Sequence, residues 1–187
     1  EKFEIGRIVR SPARFDPTKL NDICSKLIRS SDETTIIKEF DAFLHVAGIA
    51  PLKKDEKAIL RSSLPFLKTR ATNYKDLYDQ AHSLIKRDHF KIEASCFELI
   101  TSQSLSLLRE LTIRLIDATW EREKVNEIIK LFAKEQKVPF KDVAQMVRIA
   151  LVGKLNAPGI IDMMLALGKS EVIERFDNLY GMKSSEV

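Results

Sequence analysis

Apolar residues return at intervals of three and four along almost the whole chain, and short runs of capping and breaking residues separate the stretches. Val143, Val147, Ala150 and Leu151, at i, i+4, i+7 and i+8 ahead of Gly153, form the clearest of these stripes. A period near 3.6 places such residues on one face of a helix, where burying that face stabilises it. Only six glycines and six prolines occur in 187 residues, too few for the many tight turns of an all-β fold. The chain is therefore predicted to be all-α.

Each stripe has a predicted start and stop. Asp16-Pro17 reads as an N-cap followed by proline in the first turn. It opens a helix over 18–29 in which Leu20, Ile23, Leu27 and Ile28 face inward. Ser30 with Glu33 reads as a capping box for a second helix carrying Ile36, Ile37, Phe40, Phe43 and Leu44 up to Gly48. A third holds Ile59, Leu60, Leu64 and Leu67, and Pro65, which lacks an amide proton, should end or bend it. A fourth spans 73–86 with Leu77, Ala81, Leu84 and Ile85 inward. The polar run Lys86-Arg87-Asp88-His89 is the expected boundary between two helical units.

Beyond it a long period runs through Phe97, Ile100, Leu105, Leu108, Leu111 and Leu115, with Ser102-Gln103-Ser104 as an expected break. A helix from Thr119 carries Val125, Ile128, Ile129 and Phe132. The stripe ending at Gly153 is followed by the turn Asn156-Ala157-Pro158-Gly159. Two short helices are predicted last, one over 159–167 stopped by Gly168 and one over 170–180 stopped by Gly181. No fixed repeat or sustained heptad points to a solenoid or a coiled coil.

With 44% hydrophobic and 31% charged residues the chain is not disordered, and no run approaches the roughly 20 apolar residues of a membrane span. Two cysteines, Cys24 and Cys96, cannot build a disulfide framework or a four-ligand zinc site. Both are expected in the core, and the expected compartment is the reducing cytoplasm. The chain opens Glu1-Lys2-Phe3 without a starting Met, so it is expected to be part of something longer. Its net charge of +4 is mild, but the positive charge is concentrated. Residues 61–91 hold seven basic and three acidic side chains, and residues 1–29 seven and four. Such sections are either solvated helix faces or phosphate contacts.

Catalytic signals are absent from the pattern. His45, His82 and His89 form no pair at i, i+4 with Glu between, as a zinc-protease helix requires. His89 and Cys96 can share a helix face, yet no third group orients them. No glycine-rich phosphate loop occurs. The chain alone is expected to be non-catalytic and to bind no metal.

Three stretches carry a family pattern. The first is Ser11-Pro12-Ala13-Arg14-Phe15-Asp16 leading through Lys19-Leu20 to Ile28-Arg29, and the second is Leu64-Pro65-Phe66-Leu67-Lys68-Thr69-Arg70. The third is Trp120, then Phe140-Lys141-Asp142-Val143-Ala144-Gln145-Met146-Val147-Arg148, Gly153, Ala157-Pro158-Gly159, Gly168-Lys169 and Arg175. Together they resemble the C-terminal, anticodon-binding part of bacterial glutamyl-tRNA synthetases, along essentially the whole chain. The signatures of the class I catalytic domain are missing, and Met182-Lys183-Ser184-Ser185 stands in the wrong place and order to be one. Asp22 and Cys24-Ser25 depart from the family, which commonly has an aromatic residue and Asn-Gly there.

The resemblance implies two consecutive helical-bundle domains forming an α-helical cage, over 30–90 and 91–187, after the end of a stem-contact region over 1–29. It implies a monomer that selects tRNA-Glu, with tRNA-Gln as a second candidate, for ATP- and magnesium-dependent attachment of glutamate by a catalytic part outside this chain. It also implies anticodon contacts from Arg70, Arg148, Ala157, Pro158 and Ile160, and weaker tRNA-backbone contacts from Lys19, Lys86 and Arg87. In that family glutamate tRNAs end their anticodon in cytosine and glutamine tRNAs in guanine, and the arginine matched by Arg70 tells them apart. The residues themselves are compatible with this. Arg70 should point outward near a proline-disturbed helix end, and Pro158 should expose a rigid apolar ring beside amides that meet phosphate. Without the resemblance, Arg148 reads equally as an ion-pair partner on a helix face, and Pro158 as a turn residue. Two rival functions remain: a helical protein-interaction module, and a helix-turn-helix DNA binder suggested by Lys141-Asp142-Val143-Ala144.

Overall fold

The first helix begins where Asp16 and Pro17 place it. The Asp16 carboxylate accepts from the Thr18 and Lys19 amides at 2.9 and 3.1 Å, satisfying two of the donors that a helix start leaves over. The structure is a computed structural model that describes residues 15–85 and 91–184. Among these residues there are nine α-helices, a short 3₁₀ segment and no strand. The helices are α1 (Pro17–Ser30), α2 (Glu33–Val46), α3 (Lys54–Leu67), α4 (Tyr74–Ile85), α5 (Ser102–Ile116), α6 (Arg122–Glu135), α7 (Phe140–Val152), α8 (Ile160–Leu167) and α9 (Lys169–Ser184). The 3₁₀ segment, Ala94–Leu99, precedes α5. The all-α prediction holds.

Two apolar cores form along the chain. Ile36, Phe40 and Leu44 of α2 meet Leu60, Leu64 and Leu67 of α3 and Leu77, Ala81 and Ile85 of α4 in the first. The second gathers Leu108, Leu111 and Leu115 of α5, Ile129 and Phe132 of α6, most of α7, Met163 and Met164 of α8, and Val172 and Phe176 of α9. Leu84, next to Ile85, belongs to the second core, and Ile59 and Phe66 of α3 touch both. The last turn of α4 and one side of α3 are thus a shared wall. The boundary expected at Lys86-Arg87-Asp88-His89 lies outside the described residues.

Several local expectations are corrected. Asp32, not Ser30, caps α2: its carboxylate accepts from the Thr35 amide at 3.0 Å, while Ser30 is still the last residue of α1 and bonds back to the Leu27 carbonyl. Pro65 does not end α3, which runs two residues further and closes with the Lys68 amide on the Leu64 carbonyl. The break before α5 falls at Ile100-Thr101. Ser102-Gln103-Ser104 instead forms its first turn, because the side chains of Thr101 and Ser104 each accept the other's amide proton. α6 starts at Arg122 rather than Thr119, and α9 runs through Gly181.

The apolar stripe of α1 is also not a core stripe. Leu20, Ile23 and Leu27 are 45%, 47% and 60% exposed, and only Ser25 and Ile28 are buried. Cys24 is half-buried, whereas Cys96 is in the second core. No described helix is long and apolar enough to cross a membrane.

Candidate nucleic-acid interface

The corner between α3 and α4 is built to hold one arginine outward. The Leu67 carbonyl accepts from the amides of both Arg70 and Ala71 at 3.0 Å, which tightens the chain into a turn. Ala71 is fully buried and anchors that turn, so Arg70, just before it, faces solvent. The far side is clamped as well. Asp76 accepts from the Thr72 amide at 2.9 Å and the Thr72 hydroxyl at 3.0 Å, and Asn73 caps the Asp76 amide at 2.9 Å. Arg70 therefore carries a guanidinium on a stiff corner, and among the described residues it has no hydrogen-bond or ion-pair partner. That is the placement expected from the sequence.

Burial pushes the Asp76 carboxyl up, but the Gln80 amide, the two Thr72 donors and the Lys75 charge outweigh it and hold the group below the usual carboxylate range. A carboxyl lowered by folding contributes stability above its unfolded-state value, and that contribution is lost as pH falls through the folded one. Thermal melts should show the chain losing stability below about pH 4. Asp76→Asn should flatten that limb, and an unchanged acid limb in the variant would show that the corner is not held by this carboxylate.

Arg148 sits in α7, four residues before its end. α7 is buried on nearly every side by Val143, Ala144, Met146, Val147, Ile149, Ala150, Leu151 and Val152. Arg148 is half-exposed, yet its Nε is buried and has no hydrogen-bond partner among the described residues. The helix-face ion pair that its sequence position also allowed is not formed among those residues either. A desolvated N–H of a charged group without an acceptor costs on the order of 1–3 kcal/mol, which a bound acceptor recovers.

Past Gly153 the chain passes through Ala157, half-buried, Pro158, buried, and Ile160, 4% exposed. Pro158 does not present its ring to solvent as expected, because the second core takes up the turn that carries it. At the start of α8 a Cβ at Gly159 would lie 2.8 Å from the Asp162 carboxylate, which pairs with Arg122 at 2.6 Å. A cleft of about 280 Å³ opens here, lined by Ser62, Pro65 and Phe66 of α3, by Arg122, and by Asp162, Leu165 and Ala166 of α8. The chain leaves this cleft at Phe66, four residues before Arg70, and enters it at Asp162, four residues after Pro158. Neither Arg70 nor Pro158 lines the cleft, and no hydrogen bond or ion pair joins either of them to Arg148 among the described residues.

Lys19 is exposed on the first turn of α1. Lys86 and Arg87 lie outside the described residues. Contacts that the sequence did not point to hold the second bundle: the Trp120 indole donates to the Met164 carbonyl at 3.3 Å, and Lys169 donates to the Ala118 carbonyl at 2.9 Å. Among the described residues no three His, Cys, Asp or Glu side chains come together as ligands for a metal ion.

Comparison with known proteins shows the family and the fold. The chain is 33% identical over 178 residues to glutamate-tRNA ligase 2 of Roseobacter denitrificans, covering 95% of this chain and 38% of that protein. It is 32% identical over 175 residues to glutamate-tRNA ligase 2 of Ruegeria pomeroyi, covering 94% and 37%. It thus spans little more than a third of the length of these curated relatives. The same fold occurs in the crystal structure of a glutamate tRNA ligase from Elizabethkingia meningosepticum, with a TM-score of 0.76 at 22% identity, covering 96% of this chain and 35% of that one. The family described as anticodon binding domain matches residues 35–180, from the first turn of α2 into the last helix. An all-helical, two-core chain matched over that span belongs to the anticodon-binding domain family.

Proposed function

We propose that this chain is the tRNA-selecting part of a glutamate-tRNA ligase. It engages the anticodon of tRNA-Glu as a monomer in the cytoplasm, while a catalytic part outside this chain attaches glutamate using ATP. Two units, 30–90 and 91–187, form the reading surface, and residues up to 29 end a stem-contact region. The observation that carries the reading is the buried Nε of Arg148, without a partner among the described residues, in a chain of this family. Single-stranded RNA loops offer splayed bases whose edges present acceptors to such a group. Arg70, exposed on a rigid corner, is the second base reader. Ala157, Pro158 and Ile160 complete the anticodon-binding set as largely buried residues, and Lys19, Lys86 and Arg87 meet phosphate.

Titration with a tRNA-Glu transcript at two salt concentrations, beside a duplex DNA control, tests this reading. Preference for the tRNA and a salt slope of several units are expected, since each phosphate contact releases counterions. Arg148→Ala should weaken the cognate anticodon selectively, by roughly tenfold, because base contacts rather than phosphate contacts carry sequence. Equal binding to duplex DNA, or no binding to either, would reject the proposal.

A further inference from the structure

Arg175 of α9 is 5% exposed, and its guanidinium is spent entirely inside the protein. Its Nε donates to the Glu171 carboxylate at 2.7 Å, one turn earlier on the same helix. Its Nη1 donates to the Leu151 carbonyl at 2.5 Å and the Ser83 carbonyl at 3.0 Å, and its Nη2 to the Leu84 carbonyl at 2.7 Å. Ser83 and Leu84 lie in the last turn of α4, and Leu151 in the last turn of α7. Those carbonyls are among the acceptors that a helix end leaves without an intrahelical donor, and a cation there is favoured by both helix dipoles. One planar fork thus joins the end of a first-bundle helix to two second-bundle helices.

The other junction between the bundles is of a different kind. α3 meets α8 through apolar contact by Ile59 and Phe66, and one hydrogen bond runs from the Ser62 hydroxyl to the Ala166 carbonyl at 3.0 Å. Apolar contact is non-directional, so this junction permits rotation that the fork at the other junction forbids.

We propose that Arg175 is a positioning residue that locks the two bundles at a fixed angle and so sets the spacing between Arg70 and Arg148. Resting on the tRNA-selecting reading for its consequence, this makes an arginine that touches no RNA a determinant of anticodon preference. An ammonium group cannot replace it, because a point charge cannot hold carbonyls of two helices in one plane.

The lock is measured without RNA. Spin labels at Val46→Cys, exposed at the end of α2, and Lys130→Cys, exposed on α6, report the distance between bundles in a Cys24→Ser background. The unmodified Arg175 chain should give a narrow distribution. Arg175→Lys, which keeps charge and near size, should widen it by roughly twofold or more, as a hinge replaces a fixed joint. Arg175→Met should widen it at least as much at temperatures well below its melting point. An unchanged width in Arg175→Lys would overturn the proposal, since lost stability alone lowers the melting point without widening the distribution.

The second readout is affinity for transcripts differing in one anticodon base. Arg175→Lys should reduce the preference by about fivefold or more, within the usual range of coupling between sites. A full preference in a chain whose distribution has widened would separate the lock from reading and reject its role in selection. If the Arg175 chain binds no tRNA, the tRNA-selecting reading fails, and the distance distributions still decide the lock.

Discussion

Gly153→Ala is expected to be among the most damaging single-methyl changes in the chain. Gly153 ends α7 in the left-handed region at φ 72°, where an alanine costs about 1–2 kcal/mol. A Cβ there would also lie 2.3 Å from the Lys91 carbonyl oxygen and 3.0 Å from its carbon. Both are backbone atoms, so no rotamer change relieves the clash and residues 91–93 must move. Moving them breaks the hydrogen bond from the Glu93 amide to the Gly153 carbonyl, 2.8 Å long, worth about 1 kcal/mol. A total near 3 kcal/mol corresponds to a fall in Tm of roughly 6–12 °C for a chain of this size.

Gly181→Ala is the matched control. Gly181 lies within α9, and a Cβ there meets nothing within 4 Å. Helix propensity alone favours alanine by about 0.5–1 kcal/mol. The two variants should therefore move Tm in opposite directions. Equal small shifts would show that the approach of residue 91 to the end of α7 does not matter to stability.

Arg70→Gln is expected to leave the fold intact and change what it selects. The side chain is exposed and unpaired among the described residues, so Tm should stay within about 1 °C of the parent. Under the proposed function, Arg70 reads the third anticodon base. A guanidinium only donates, which suits the carbonyl oxygen and ring nitrogen on the pairing edge of cytosine. Guanine offers donors beside its single oxygen, so a close fit sets like groups against one another. A bidentate pair of this geometry discriminates by about 1–3 kcal/mol, roughly 5- to 150-fold in affinity. Glutamine both donates and accepts, and should narrow the preference towards equality. The measurement is the ratio of Kd values for two transcripts differing only in that base, and an unchanged ratio would remove Arg70 from the reading surface. A lost ratio with a lowered Tm would instead mean that the corner had come apart.

The periods, starts and stops were legible because they are local physics. Asp16 caps α1 through amides two and three residues away, and Gly153 and Gly168 close α7 and α8 with positive φ within a single turn. The outward arginine on the α3–α4 corner was expected from the family pattern and a helix end near Pro65; the end is there, but two residues past Pro65, at Leu67. Where two local signals competed, the reading from sequence chose wrongly, taking Ser30 as the cap of α2. Ser30 and Asp32 are both good caps, and Asp32 serves because α1 had not yet ended at Ser30.

Surfaces that depend on residues far apart in the chain were not legible. The α1 stripe has the spacing of a core face, yet Leu20, Ile23 and Leu27 stay exposed. Pro158 has the chemistry of an exposed turn and is buried by a core assembled from five helices. Arg148 read equally as an ion-pair partner without the resemblance, but among the described residues it forms no ion pair. Arg175 belonged to a family pattern without a role until its fork met carbonyls 91 and 92 residues away. Spacing along a helix says which residues share a face. What that face meets, and whether a buried charge finds an acceptor, depends on packing between segments whose separation in sequence carries no record of their contact.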